Sequence, residues 1–289
     1  MMQAVEKKNQ KPEENYSLWL SRWFVSPWLS SWSDTLATKS FKLGKLLGTG
    51  IHSKVYSAHS PDSQQFAVKL FRISDLDQAQ MQTLEHESRI LQDLNHPQIV
   101  RTHGIFRTTC RTHIAIQMEL CRYGDLFEHV NQRGTLPESD VFSILSQVAN
   151  ALHYLHTRGI FHRDLKLENI LLRSIDPLQV CLADFGLASK KTGPLHTRCG
   201  SEEYVAPEII RGLPYDGRSS DAWSLGIIAY ACCFGRLPFS SPTPKTLYDR
   251  ICNGIYKFPD IEISSEMNSL IRGLLSIRPE ERLSIETLL

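Results

Sequence analysis

The sequence predicts an α+β fold of two lobes, a small β-rich N-lobe followed by a larger helical C-lobe, and three observations carry that expectation. From Phe41 to about Thr109 the chain reads as short strands: FKLGKLLGTG, KVYSAH, QFAVKLF and IVRTHGIFRT. Beyond the polar stretch CRYGD, long patterns of helical period dominate. The 289 residues, 42% of them hydrophobic, suffice for one large domain or two lobes with a sizeable core.

In chain order, residues 1–40 form an N-terminal extension and residues 41–289 a folded domain, with an N-lobe over about 41–118 and a C-lobe over about 122–289. The extension opens with a polar tail, after which residues 16–33, YSLWLSRWFVSPWLSSWS, hold four of the five tryptophans. Trp19 and Trp23 are four apart, as are Trp28 and Trp32, so each pair shares a helical face, and Pro27 divides the two. So much aromatic area is expected to dock, either on this chain's own folded domain or on a regulatory partner.

Within the strand-rich part, DLDQAQMQTLEHESRILQDL (75–94) has helical spacing through Met81, Leu84, Leu91 and Leu94. His113–Glu119 adds another strand. Ser139–His156 is an amphipathic helix with Val141, Leu145, Val148, Leu152 and Leu155 on one face and Gly159 as its C-cap. Ser220–Phe234 is apolar nearly all round and should form a buried central helix.

Composition narrows the function. A net charge of +1 argues against nucleic acid or an anionic membrane as the main partner. Seven scattered cysteines without a CxxC suit reduced thiols rather than a disulfide framework or a zinc site. The polar N-terminus lacks a signal-peptide core, and no run approaches the roughly 20 apolar residues of a transmembrane segment. A cytoplasmic protein with access to the nucleus is expected.

Leu47-Gly48-Thr49-Gly50-Ile51-His52-Ser53-Lys54-Val55 joins two strands. Its glycines let a hairpin tip approach phosphates, although Gly-x-Gly by itself marks only a turn. Lys69, in Ala67-Val68-Lys69, could be an edge residue reaching water. Glu87, mid-way along the first helical pattern, could instead hold that ammonium in place. His162-Arg163-Asp164-Leu165-Lys166-Leu167-Glu168-Asn169 follows the amphipathic helix, Ala183-Asp184-Phe185-Gly186 comes next, and Ala206-Pro207-Glu208 follows a polar segment.

In order and spacing these motifs resemble the eukaryotic protein kinases from Phe41 to Leu289. The resemblance implies ATP and Mg²⁺ as cofactors, with ATP in the cleft between the lobes, and protein substrates with Ser or Thr acceptors. Asp164 is then the base and Lys166 balances charge on the γ-phosphate, while Asn169 and Asp184 ligate the metal. Leu47, Gly48, Thr49, Gly50, Ile51, His52 and Ser53 cover the phosphates. Lys69, fixed by Glu87, meets them. Val55, Ala67 and Leu171 enclose adenine, Met118 backs it, Glu119 and Cys121 offer backbone groups, and Asp125 is placed for the ribose. His162 and Phe185 are packing residues, Asp221 caps the backbone of the Asp164 loop, and Glu208 pairs with Arg282 as a buried ion pair.

Lys166 in HRDLKxEN marks the serine/threonine form, and CGSEEY (199–204) resembles the calcium/calmodulin-dependent and AMP-activated kinase group. Ser53 departs from the family by replacing a third glycine, and Gln98 by replacing an asparagine. Neither touches phosphate or metal in the family's pattern. Two other classes stay open beside the enzyme: a pseudokinase scaffold or regulatory binding module, and a small-molecule phosphotransferase. Thr197 is the expected regulatory phosphosite with Arg163 as its partner. Glu168 and Asp125 should favour an arginine three residues before the acceptor. Ala231 offers no further carboxylate, so little selection is expected two residues before it.

Overall fold

The computed structural model describes residues 41–107, 112–191 and 193–289. The extension with its tryptophan pairs, and the expectation of docking through residues 16–33, lie outside the described residues.

The described chain divides into two units. The first comprises residues 41–95, 100–107 and 112–121. Its strands are β1 (Lys42–Thr49), β2 (Ser53–His59), β3 (Gln65–Arg72), β4 (Thr102–Arg107) and β5 (His113–Met118). They form one antiparallel sheet in the order β1-β2-β3-β5-β4. Alternation along β3 turns Phe66, Val68 and Leu70 to one face, where they pack with Phe41, Ala58, Phe106 and Ala115. Ala67, Lys69 and Phe71 take the opposite face. Helix α1 (Gln78–Asp93) contributes buried Leu84, Ile90 and Leu91. It starts three residues later than its periodicity predicts, because Ile73–Asp75 forms a 3-10 turn and Asp77 caps the helix. Asp77 accepts from the Gln80 amide while the Gln80 side chain accepts from the Asp77 amide, both at 2.8 Å, a reciprocal capping box.

The second unit comprises residues 96–99, 122–191 and 193–289. Residues 96–99, which sequence order assigns to the N-lobe, belong here through backbone pairing. The Leu182 N–H donates to Gln98 O at 2.8 Å, and the Arg173 guanidinium donates to the carbonyls of Pro97 and Ile99. The unit's first helices are α2 (Leu126–Arg133) and α3 (Glu138–His156). Strands β6 (Ile160–Phe161) and β9 (Ser189–Lys190) pair, as do β7 (Ile170–Ile175) and β8 (Leu178–Leu182). Four helices follow: α4 (Pro207–Ile210), α5 (Gly217–Phe234), α6 (Pro244–Cys252) and α7 (Ser265–Leu274).

Helix α3 buries the predicted stripe, widened by Ile144, Ala149 and Ala151. It closes on Thr157 rather than Gly159, and Gly159 supplies the left-handed turn beyond, at φ 68°. Helix α5 buries every residue from Ser220 to Phe234, and begins earlier than its apolar run because Asp216 caps it. None of the helices among the described residues is long and apolar enough to cross a membrane.

Trp223 of α5 is fully buried and stacks on Phe239 with ring centroids 5.7 Å apart. Over it lies Arg282, whose two terminal nitrogens meet the two carboxylate oxygens of Glu208 at 2.7 and 2.9 Å. Both side chains are nearly inaccessible to water, so each charge depends on the other. Replacing one partner strands the second. Arg282→Met should therefore lower unfolding free energy by about 3–5 kcal/mol in urea titrations.

Candidate active site

In the sheet unit, β1 and β2 meet through Gly48 opposite Val55 and Thr49 opposite Lys54. The turn closes by a 2.8 Å bond from the Gly50 N–H to Ser53 O. Ile51 at the tip is 94% exposed. A side chain at Gly48 would meet no atom within 4 Å, so packing inside the protein does not demand glycine there. The open backbone suits close approach by a phosphate.

Lys69 faces Glu87 of α1, with Nζ 3.1 Å from Oε1 and side-chain exposures of 13% and 5%. Burial removes the edge-residue alternative for Lys69. In the same sheet Val55 lies opposite Lys69, and Ala67 lies opposite Met118. At the end of β5 the Glu119 N–H donates to Arg101 O at 2.9 Å, and its carboxylate accepts from the Arg101 N–H at 2.7 Å. The Glu119 amide is thus committed within the sheet unit. Cys121 is half-buried.

In the helical unit, the loop from His162 to Asn169 hangs on one carboxylate. Asp221 of α5 accepts from the His162 N–H at 3.0 Å, the Arg163 N–H at 2.9 Å and His156 Nε2 at 2.8 Å. Burial opposes its charge, yet His156, His162 and the Arg163 amide hold its pKa below the ordinary carboxylate value. Arg163 is thereby kept in the left-handed region at φ 63°. His162 and Phe185 are buried against each other, ring centroids 5.2 Å apart, and the His162 ring donates to Ala183 O at 3.1 Å.

Asp164 lies at the centre of a charged cluster. Its carboxylate is 2.9 Å from Lys166 Nζ and accepts from both the N–H and the hydroxyl of Ser201, each at 3.0 Å. Lys166 also donates to the Ser201 hydroxyl at 2.9 Å. The Asn169 amide nitrogen donates to Asp164 O at 2.8 Å, so its side-chain oxygen is the atom that could ligate a metal. The Ala183 N–H donates to Asn169 O at 2.8 Å, bringing Asp184, at φ 59°, beside Asn169. One carboxylate and one amide oxygen fit Mg²⁺, which takes few protein ligands when phosphates complete its shell. Among the described residues no group of three His, Cys, Asp or Glu forms a denser metal site.

Two predicted residues carry additional duties. Asp125 caps α2 by accepting from the Glu128 N–H at 2.8 Å, so one of its oxygens is committed to the helix. Burial raises its pKa, and the charges of Glu128 and then Glu168 add to the rise. Leu171 bridges to Asp125 by backbone pairing. Thr197 is exposed, and its carbonyl accepts from the Tyr215 hydroxyl at 3.0 Å. Arg163 faces the same segment, donating from Nε to Leu187 O at 2.7 Å. Burial raises the Cys199 thiol pKa, against the pull of the nearby Arg163 charge.

Ser201, His156 and Tyr215 were not singled out in sequence. Ser201 stands 37 residues from Asp164, and only its place in CGSEEY hinted at a role. His156 reads as one more residue of the buried helix face.

A glycine hairpin and an anchored lysine on an antiparallel sheet, with an aspartate-centred loop on a helical unit, place the chain in the class of eukaryotic-type kinase folds. The family model described as the protein kinase domain matches residues 41–289, and the chain belongs to that family. It is 38% identical over 243 residues to NUAK family SNF1-like kinase 2 of Rattus norvegicus, covering 83% of this chain and 38% of that protein. It is 37% identical over 254 residues to CBL-interacting serine/threonine-protein kinase 1 of Arabidopsis thaliana, covering 85% and 56%. To NUAK family SNF1-like kinase 1 of Homo sapiens it is 36% identical over 250 residues, covering 85% and 37%. The chain therefore spans between 37% and 56% of the length of these relatives.

Asp221→Ala would leave the His162 and Arg163 amides without their acceptor. The expected result is a loss of about 1–3 kcal/mol per orphaned donor, with faster hydrogen exchange at exactly these two amides and little change in α6 or α7.

Proposed function

We propose that this domain transfers the γ-phosphoryl group of ATP to serine and threonine hydroxyls of protein substrates. The observation that carries the reading is the Asp164 cluster, a carboxylate held by Lys166 and by both donors of Ser201. The kinase relatives support it. Residues 41–289 act as the catalytic domain behind the extension 1–40, and scattered cysteines without a CxxC fit a cytoplasmic setting.

ATP supplies the phosphoryl group, and Mg²⁺ when bound neutralises charge on its phosphate oxygens. The backbone of 47–53 covers the phosphates. Lys69, oriented by Glu87, meets their oxygens. Asn169 and Asp184 would hold the metal. As the acceptor hydroxyl oxygen bonds to the γ-phosphorus, the bond to the β–γ bridging oxygen breaks, ADP leaves and Asp164 takes the hydroxyl proton. Lys166 balances the charge that develops at that point.

In this reading the carboxylates of Glu168 and Asp125 select an arginine three residues before the acceptor. Incubation with Mg-ATP and a degenerate peptide library should yield phosphoserine and phosphothreonine peptides carrying that arginine. Asp164→Ala should lower kcat by at least about a hundredfold with the fold retained. Phosphopeptide from the parent and the variant alike would remove Asp164 as the base. Nucleotide binding without phosphopeptide from the parent would favour the scaffold reading.

Thr197 is the activating phosphosite in this reading. A phosphate there adds a charge of about −1.5 to −2 and pairs with Arg163, ordering the segment. Thr197→Ala should lower kcat/KM of the phosphorylated protein by about tenfold. Equal activity of parent and variant would exclude activation through this residue.

A further inference from the structure

The glycine hairpin is tied to α1 by a contact the motif does not supply. His52, next to the hairpin tip, places Nε2 2.9 Å from the Gln80 amide nitrogen. That amide cannot turn over freely. Its oxygen already accepts from the Asp77 N–H at 2.8 Å in the capping box, so its nitrogen is the atom that faces the loop. The nitrogen only donates, which makes His52 Nε2 the acceptor and puts the ring proton on Nδ1.

Gln80 and Glu87 are seven residues apart, two turns along one helical face. The same face of α1 therefore holds both the hairpin and, through Glu87, Lys69. The turn itself is closed where the family has a third glycine. The Ser53 hydroxyl lies 2.9 Å from where a side chain on Gly50 would begin, and Ser53 O accepts from the Gly50 N–H.

We propose that His52 is a positioning residue. Its bond to Gln80 latches the hairpin to α1, so that the loop over the phosphates and the Lys69–Glu87 pair are set by one helix. The proposal rests on the reading that residues 47–53 cover the phosphates of ATP. It predicts an effect on nucleotide affinity rather than on the transfer step, because the latch touches neither the acceptor nor Asp164.

His52→Phe separates latch from cap, because it keeps a ring, removes the acceptor and leaves the Asp77–Gln80 capping box in place. Gln80→Met removes the donor together with one half of that box. The full chain is assayed for Mg-ATP binding, KM for ATP, kcat and thermal midpoint. Each single variant should raise KM and Kd for Mg-ATP by about two- to tenfold, the range of one net hydrogen bond, with the midpoint of His52→Phe and the kcat of Gln80→Met held. The double variant should be no weaker than the worse single one. Unchanged affinity in His52→Phe, or single effects that multiply in the double variant, would overturn the latch alone. A parent chain that binds no Mg-ATP would overturn the nucleotide reading beneath it.

Discussion

The helical unit depends on one buried carboxylate. Asp221 sits in α5, the most apolar helix among the described residues, where an unpaired charge would be costly. It is tolerated because His156 and two backbone amides surround it. Those amides belong to residues 162 and 163, immediately before Asp164. The stabilisation of a buried charge and the placement of the reactive loop are thus one interaction. The left-handed backbone of Arg163 follows from it, since both carboxylate oxygens hold that stretch at once.

The sheet unit uses a similar device with a different outcome. Glu87 is buried on α1 and its partner is a lysine, a mobile point charge rather than a backbone amide. Holding Lys69 therefore depends on where α1 lies. That in turn depends on the Asp77–Gln80 capping box that fixes where the helix begins. The Glu208–Arg282 pair differs from both. Its planar, two-point geometry is closed on itself beneath Trp223, and it stabilises the packing around α4 and α5 without presenting a group to a ligand.

Much of the site was legible because phosphoryl transfer asks for charge and metal-binding oxygen at short, ordered spacings. Asp164, Lys166 and Asn169 fall within six residues, and their mutual bonds follow from that proximity. Asp184 was legible from its motif, and the glycines from their hairpin. What was not legible has a common cause in long sequence separation. Ser201 reaches Asp164 across 37 residues and His156 reaches Asp221 across 65, and neither side chain has a local pattern to mark it. Asp125 shows the converse. Its acidity could be read in advance, but the capping of α2 that occupies one oxygen is a matter of backbone geometry.

By itself the sequence determined the element types, the buried faces of α3 and α5, and the identity of the reactive groups, because periodicity and short motifs are local. Tertiary structure alone decided that residues 96–99 join the helical unit, since their backbone groups find partners on β8 and Arg173. It also decided that α1 begins only after a 3-10 turn and that α3 ends before Gly159. It decided as well that Ser201 serves Asp164. Each of these outcomes depends on which distant donor meets which acceptor, and that is settled only when the chain has packed.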